Sequence, residues 1–440
     1  MNLNRRTFLG GAAAFALTAE ALAAAAPDSK TYESGGGRAA DFLICRRLYL
    51  DICGRLPKPD EVQEFVSSHD SKKLEELVDR LLASDGYADF WSMRMSDVLR
   101  VKSEFPINLW PNAVYVYHRR IRASVANDEP WSAFARALLC GRGSNFRNPE
   151  SNFLRATARR TPEGLSEAIS RTFLLEPSEA YAHYFSRVAW KSTREWKEEI
   201  VYLKPGPSGD VPEAFMQELE GARRADFHQT PVKRVHWWIF GGLPPKDRLR
   251  AWTQVFEKGG LRLRSLLRHV FLSKEYLAGP IRGKFPARRL DAEVLDDAIC
   301  DITGTGRHFE SIAPEPYSYL PADRRTILLE DGSISSAFLL LFGRPARDTG
   351  ALEERRNEIT AKQRLYLFNS GGLWSKLKRI VEDPVFSSLP RAAQIENLFL
   401  RFYARPPVKS EVFLVDKKKN MSMHLLAWYL VNSREFLYRI

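Results

Sequence analysis

Residues 47–87 read RLYLDICGRLPKPDEVQEFVSSHDSKKLEELVDRLLASDGY. This stretch begins with an apolar run, turns at Gly54–Pro57 and closes at Ser84, three residues before Tyr87. A proline fixes φ at a helix start, and the acidic residues after it suit the positive end of the helix dipole. Apolar residues then recur at the spacing of one helix face: Leu74, Leu77, Val78, Leu81 and Leu82. The stretch therefore predicts helices that each bury one face.

The same unit occurs three times, as module 1 from Arg47, module 2 from Val235 and module 3 from Ile395. In each module a turn containing proline follows the first helix, and a serine later stands three residues before an aromatic residue. The proline and serine pairs are Pro57/Ser84, Pro244/Ser273 and Pro406/Ser433, which are 27, 29 and 27 residues apart. Such similar spacing indicates one supersecondary unit used repeatedly.

The longest insertion between modules, residues 102–230, carries further helical patterns around 112–126, 131–140 and 163–175. Few segments alternate with period two, so strands should be short and rare. We therefore predict a mainly α, multi-helix protein with three related helical modules and few or no strands. Proline and glycine at 204–211 predict a linker between an N-terminal helical domain, 41–203, and a C-terminal helical domain, 212–440, with two module copies.

The N-terminus has the features of an export signal. Residues 1–26 combine a charged start, a short alanine-rich stretch and Ala-x-Ala cleavage positions, and Asn4–Leu9 reads NRRTFL, like a twin-arginine signature. Residues 27–40 are predicted to be a flexible linker. No later segment approaches 18 uninterrupted apolar residues, so no stable membrane insertion is expected. We expect a periplasmic or cell-envelope protein exported in the folded state by the twin-arginine route.

Several short motifs, in order along nearly the whole chain from Phe42 to Ile440, resemble those of a known paired family. The motifs are residues 288–295 (RRLDAEVL), 344–348 (RPARD), 366–370 (YLFNS) and 432–437 (NSREFL), together with the modules. The family, from Planctomycetes and Verrucomicrobia, pairs domains of unknown function fifteen-forty-nine and fifteen-fifty-three. The resemblance implies a helical architecture without an established activity, and it suggests a second exported, sulfatase-like protein as a partner.

Many members of that family carry a Cys-x-x-Cys-His haem-attachment motif after a helix like the one ending at Leu174. Here the corresponding residues are Glu179–His183, so His183 stands near the position of the haem histidine without the two thiols. Thioether attachment is therefore impossible, and no cofactor is expected. The four cysteines, Cys45, Cys53, Cys140 and Cys300, are expected to be mostly buried free thiols, since Cys45 and Cys53 would lie about 12 Å apart on one helix.

The best candidate for a binding site is the arginine-rich segment that follows Gly343. Its members are Arg344, Arg347, Asp348, Arg355 and Arg356. Guanidinium groups bind carboxylates, sulfates and phosphates in a bidentate manner, so the segment predicts an anion site. The alternative is a buried arginine and aspartate network that pins the C-terminal module to the rest of the protein. Histidine spacing signals no metal site, and the tryptophans at 237, 238 and 252 favour core packing over a sugar platform.

The chain carries 66 Lys plus Arg against 54 Asp plus Glu, a formal charge of +12, which favours anionic partners. Nucleophile elbows and phosphate loops are absent from the sequence. We therefore expect a haem-free binding or accessory protein of the cell envelope that acts with another exported protein or an anionic glycan. The alternative is an unrecognised polysaccharide-acting hydrolase whose Asp or Glu residues come from distant segments. Nucleic acid is not an expected partner.

Overall fold

A computed structural model describes residues 32–34, 38–279, 285–311, 320–417 and 421–440. The export signal predicted at residues 1–26 lies outside the described residues. Of the linker predicted at 27–40, the described residues form a short hairpin, in which β1 (Glu33–Ser34) pairs with β2 (Arg38–Ala39). The hairpin is fixed to module 3, because the Tyr32 hydroxyl donates to Glu435 at 2.8 Å.

The described chain is built mainly of α-helices, which confirms the predicted fold class. The helices before residue 204 are α1 (Asp41–Cys53), α2 (Pro59–Ser67), α3 (Lys73–Leu82), α4 (Asp85–Val98), α5 (Pro111–Ala126), α6 (Trp131–Leu139) and α7 (Pro162–Leu174). The helices from residue 212 to 303 are α8 (Pro212–Glu220), α9 (Arg224–Phe240), α10 (Lys246–Lys258), α11 (Leu263–Phe271) and α12 (Ala292–Thr303). The remaining ones are α13 (Ala337–Leu341), α14 (Ala361–Asn369), α15 (Gly371–Glu382), α16 (Pro384–Ser387), α17 (Arg391–Tyr403), α18 (Lys409–Lys417), α19 (Met423–Val431) and α20 (Arg434–Leu437).

Strands are short and few, as predicted. Besides the N-terminal hairpin, β3 (Gly143–Ser144), β5 (Glu199–Leu203) and β4 (Val188–Ser192) form an antiparallel sheet in that order. The last described pair joins β6 (Arg288–Arg289) to β7 (Tyr438–Arg439), also antiparallel. Short 3₁₀ turns at Pro149–Leu154, Ala182–Phe185, Thr326–Leu328 and Leu352–Glu354 complete the connections.

The three modules share one local geometry, which confirms the repeat. The serine of each module caps a helix or turn by accepting a hydrogen bond from the aromatic residue three positions later, at 3.3 Å for Ser84, 3.3 Å for Ser273 and 3.1 Å for Ser433. The aromatic residues Tyr87, Tyr276 and Phe436 are fully buried. A side-chain oxygen at a helix start satisfies a backbone N–H that has no partner within the helix. The spacing that the three modules share therefore places one buried aromatic residue in each module.

Modules 1, 2 and 3 meet at a buried polar junction around Asp51. Its carboxylate accepts from the Tyr276 hydroxyl at 2.9 Å and from Arg439 NH1 at 2.6 Å. Beside it Arg47 donates to the carbonyls of Tyr276 at 2.9 Å and Ile440 at 2.6 Å. Buried polar groups are stable only when they are hydrogen-bonded, so this junction fixes how the three modules sit on one another.

Buried apolar residues on both sides of 204–211 belong to one hydrophobic cluster. The two-domain division at this segment stays a prediction. Cys45, Cys53 and Cys300 are buried and Cys140 is half-buried, and all four are free. Across the described ranges, no helix has the length and apolar content needed to cross a membrane.

Acid sensitivity is expected from His118 on α5. Burial, with the positive charge of Arg347 acting in the same direction, lowers the pKa of His118 to about 3. In the unfolded chain the His118 imidazole binds a proton below about pH 6.5, whereas in the folded protein it stays neutral down to about pH 3. The folded protein is therefore fully stable in this respect above about pH 6.5 and loses stability as the pH falls below it. Between pH 7 and pH 5 the loss is about 2 kcal/mol.

Urea unfolding of the wild type and of His118→Gln at both pH values measures this contribution. The variant should lose about 2 kcal/mol less than the wild type over this pH range, whereas His69→Gln, at an exposed position, should behave like the wild type. Equal losses in wild type and His118→Gln would contradict the assignment.

Candidate functional site

The predicted arginine segment lies mostly inside the protein. Arg355 donates to both oxygens of Glu293, at 2.6 and 3.0 Å, and to Asp97 at 2.7 Å. Arg347 donates to the other oxygen of Asp97 at 2.9 Å, and Arg344 lies 3.4 Å from Glu293. Three of the four predicted arginines therefore have carboxylate partners within the protein.

The arginines of this network keep the carboxylates of Asp291 and Glu293 ionised. Burial raises the pKa of Asp291, but the charges of Arg94, Arg355 and Arg288 outweigh burial and hold that pKa well below its usual range. For Glu293, likewise, burial raises the pKa, but the charge of Arg355 and its hydrogen bonds lower the pKa by more, so the net shift is downward. A buried ion pair loses several kcal/mol when one partner is removed. The contacts correspond to the network alternative, and anion binding at these arginines stays a prediction.

The other predicted site residues lie apart from this network. Asp348 accepts from Lys102 at 2.6 Å, and the side chain of Arg356 is exposed. His183 is exposed in the 3₁₀ turn Ala182–Phe185, with its ring 3.9 Å from that of Tyr184. The structure therefore does not bring all the predicted residues together.

A cleft of about 1000 Å³ lies between loop 99–110, which connects α4 to α5, and turn 193–198, which connects β4 to β5. Its volume matches the upper end of the range for small-ligand sites, about 300–1,000 Å³. The side chains that line it are Ser103, Glu104, Phe105, Asn108, Trp110, Arg155, Arg160, Ser192, Thr193, Arg194, Glu195, Trp196, Lys197, Glu198 and Glu199.

Loop 99–110 is held against the C-terminal part of the chain. The backbone N–H of Ser103 donates to Asp331 at 3.0 Å, and that of Glu104 donates to Ser333 at 3.1 Å. Arg347 supports the same region by donating to the carbonyls of Val101 at 3.4 Å and Glu330 at 2.6 Å. The predicted arginine segment thus positions one wall of the cleft.

Turn 193–198 is fixed by hydrogen bonds to the Glu198 carboxylate. Glu198 accepts from the hydroxyls of Ser144 at 2.5 Å and Thr193 at 2.8 Å, and these bonds lower its pKa. Lys197 has a φ of 61°, a left-handed conformation that is uncommon for a residue with a side chain. Asn145 holds it by donating to the Lys197 carbonyl at 3.1 Å. The turn is therefore rigid on its inner side.

The floor of the cleft is an arginine pair on one carboxylate. Arg155 donates to Glu199 at 2.8 Å and Arg160 donates to it at 3.0 Å. Burial raises the pKa of Glu199, but the two arginines outweigh burial, so its pKa is lowered. A general acid needs a pKa raised toward neutrality. Glu198 and Glu199 are consequently ionised structural groups rather than proton donors.

The mouth of the cleft carries exposed aromatic rings. Phe105 is 80% exposed and Trp196 is 60% exposed. The rings of Trp110 and Trp196 meet edge to face with centroids 4.6 Å apart, and the Lys197 ammonium lies 5.0 Å from the centre of the Trp110 ring. Aromatic faces with a polar rim favour ligands that have one apolar face, such as sugar rings.

Sequence reasoning missed this cleft. The tryptophans considered as a sugar platform are largely core residues, since Trp238 is 8% and Trp252 3% exposed. No local motif in the sequence identifies Trp110 and Trp196 as cleft residues, because the cleft forms only when distant segments meet. In the part of the chain that is described, no group of three or more His, Cys, Asp and Glu side chains could hold a metal ion.

Two family models match the chain. Residues 33–189 match PSCyt2, described as "Protein of unknown function (DUF1549)", and residues 248–417 match PSD1, described as "Protein of unknown function (DUF1553)". Together the matched segments cover more than half of the chain. No curated protein and no solved structure matches it.

Proposed function

This chain belongs to the family that pairs DUF1549 with DUF1553, and both are described as proteins of unknown function. We therefore propose a function from the geometry of the cleft. The protein is an exported, haem-free binding protein of the cell envelope, and it binds an anionic glycan between loop 99–110 and turn 193–198. The observation that carries the proposal is a cleft of about 1000 Å³ with exposed aromatic rings at its mouth. Exposed apolar side chains that are grouped together and rimmed by polar residues mark ligand or partner sites, whereas single ones are ordinary.

The exposed charge of the β4–β5 hairpin supports an anionic ligand. Lys191, Arg194 and Lys197 oppose the single carboxylate of Glu195, and all four residues are exposed, so this surface carries a net charge of about +2. Arg155 and Arg160 on the floor are engaged by Glu199. Arg194 and Lys197, which also line the cleft, are therefore the groups that would meet acidic or sulfated sugars.

Location and partner are proposed from the sequence and from the family resemblance. Export rests on the sequence of residues 1–26, and the absence of haem rests on the missing thiols before His183. A second exported protein as partner rests on the family resemblance. Isolation of the native protein from its own envelope, with identification of the proteins and glycans bound to it, would distinguish a protein partner from a glycan.

Trp196→Ala is the variant that tests glycan binding. Loss of the exposed indole should weaken binding of acidic oligosaccharides about ten-fold, because an aromatic contact contributes on the order of 1–1.5 kcal/mol. Calorimetric titration with uronic-acid-containing, sulfated and neutral oligosaccharides measures it. Trp374→Ala is a matched control, since Trp374 is 41% exposed on α15 and does not line the cleft.

Unchanged affinity in Trp196→Ala, or an equal loss in Trp374→Ala, would contradict the assignment of the cleft. Tighter binding of neutral sugars than of acidic ones would contradict the anionic part alone.

A second candidate function is hydrolysis of a polysaccharide. Glu104 on loop 99–110 and Glu195 on turn 193–198 line opposite walls of the same cleft. Two carboxylates that flank a sugar are the minimum that glycoside hydrolysis needs. Release of reducing ends by the wild type, abolished in Glu104→Gln or Glu195→Gln while binding persists, would put hydrolysis ahead of binding.

A further inference from the structure

Helices α14 and α15 carry apolar side chains on the faces that point away from the core. The inner faces of these helices already supply buried residues to the core, namely Leu367, Leu373, Leu377 and Ile380. On the outer faces Leu365 is 60% exposed, Phe368 is 43% exposed and Trp374 is 41% exposed. Core packing therefore does not account for these three side chains.

Helix α19 holds the two aromatic rings next to each other. The ring of Phe368 lies 5.6 Å from that of Trp428, and the ring of Trp374 lies 3.9 Å from that of His424. His424 also donates from Nε2 to the Trp374 carbonyl at 2.9 Å. Because His424 and Trp428 are four residues apart on one helix, they lie about 6 Å apart along its axis. Phe368 and Trp374 therefore belong to one patch, and Leu365 extends it by one turn of α14.

Basic side chains surround this patch. Four cations and one carboxylate are exposed on the two helices: Lys362, Arg364, Lys378, Arg379 and Glu382. They give the outer faces a net charge of +3, and the carboxylate pairs with Lys378 at 3.0 Å. Each apolar residue of the patch has one of the cations three or four positions away on its own helix, which is the spacing of neighbours on a helix surface. The patch and the four cations together are called the α14–α15 surface.

The composition of the α14–α15 surface matches the boundary region of an anionic lipid bilayer. Leucine and aromatic side chains on a helix enter the boundary between head groups and acyl chains, while Lys and Arg beside them are attracted to anionic lipids. A protein partner fits less well, because lysine is depleted from protein interfaces. We propose that the α14–α15 surface binds reversibly to an anionic membrane surface. This contact is peripheral, so it needs no helix that crosses the bilayer.

The α14–α15 surface is separate from the glycan cleft, because none of its residues lines the cleft. A variant of one site should therefore leave the other unchanged.

Sedimentation of the full chain with phospholipid vesicles tests the proposal. The protein should bind vesicles made of equal parts of phosphatidylcholine and phosphatidylglycerol, and bind vesicles of phosphatidylcholine alone much more weakly. Added salt should weaken binding to the anionic vesicles, because it screens the charges. Arg364→Gln should weaken this binding about five-fold and Trp374→Ala about ten-fold. Trp196→Ala, at the cleft, is the matched control and should bind like the wild type.

Brominated phosphatidylglycerol tests whether the Trp374 ring itself enters the bilayer. Bromine on the acyl chains quenches only those indoles that reach the boundary with the head groups. Vesicles of this lipid should quench part of the tryptophan fluorescence of the wild type. Trp374→Phe should lose that part of the quenching while it still binds the vesicles.

Failure to bind anionic vesicles would overturn the proposal, and so would equal binding to vesicles of both compositions or unchanged binding by Arg364→Gln and Trp374→Ala. A wild-type dimer without lipid that Trp374→Ala converts to a monomer, measured by sedimentation velocity, would also overturn it, because a second copy would then occupy the surface. The measurements on the wild type stand even if a variant does not fold. None of them depends on glycan binding at the cleft.

Discussion

Arg355→Met is expected to lower the free energy of unfolding by about 3–5 kcal/mol, the usual cost of removing one partner from a buried ion pair. Arg355 donates to Glu293 and to Asp97. The exposed fraction of the Glu293 side chain is 1%, so this carboxylate would be left buried with only the more distant Arg344 as a cation partner. Equilibrium unfolding in urea, monitored by tryptophan fluorescence and circular dichroism, measures the change.

The neighbouring residue supplies the control. Arg356 is exposed, so Arg356→Met should change the free energy of unfolding by no more than about 0.5 kcal/mol. A small effect for both variants would show that the carboxylates do not need Arg355. That result would favour anion binding by the arginine segment over the buried network.

Arg405→Met should have a comparably large effect in module 3. Its guanidinium donates to both oxygens of Glu411, each at 2.8 Å, and to both oxygens of Glu435, at 2.7 and 2.8 Å. Since its side chain is 1% exposed, its loss would leave two carboxylates without their cation and cost about 3–5 kcal/mol. Urea unfolding is again the measurement.

Module 1 contains the same pair in a more exposed setting. Arg55 donates to Glu61 at 2.7 and 2.6 Å, but its side chain is 27% exposed. Arg55→Met should therefore cost only about 1 kcal/mol. Equal costs at the two equivalent positions would mean that burial does not decide the contribution of this ion pair.

The modules could be predicted from the sequence because their determinants are local. Ser84, Ser273 and Ser433 each cap a backbone N–H only three residues away, so spacing alone reveals them. The helix stripe ending at Leu82 was equally readable, since 3.6-residue periodicity is a property of one segment. The arginines at 344–356 can be recognised in the sequence as a charged segment. Their partner Asp97, however, is 258 positions from Arg355, and no local pattern predicts such a pairing.

The cleft shows the same limit more strongly. Trp110 and Trp196 are 86 positions apart in the sequence, and each alone resembles an ordinary core tryptophan. Their meeting depends on loop 99–110 being tied to residues 331–333 and on turn 193–198 being fixed by Glu198. These contacts are tertiary, so periodicity and composition carry no trace of them.

The arginines of α1 have a consequence for the order of folding during synthesis. Arg46 donates to carbonyls 389 and 390 positions later in the chain, and Arg47 donates to one 393 positions later. The ribosome releases module 1 long before residues 434–440 exist, so these guanidinium groups spend most of translation without their acceptors. Contacts of such high sequence separation slow folding and lengthen the exposure of unfinished surfaces. The N-terminal module is therefore expected to reach its native packing only after residues 434–440 have been made.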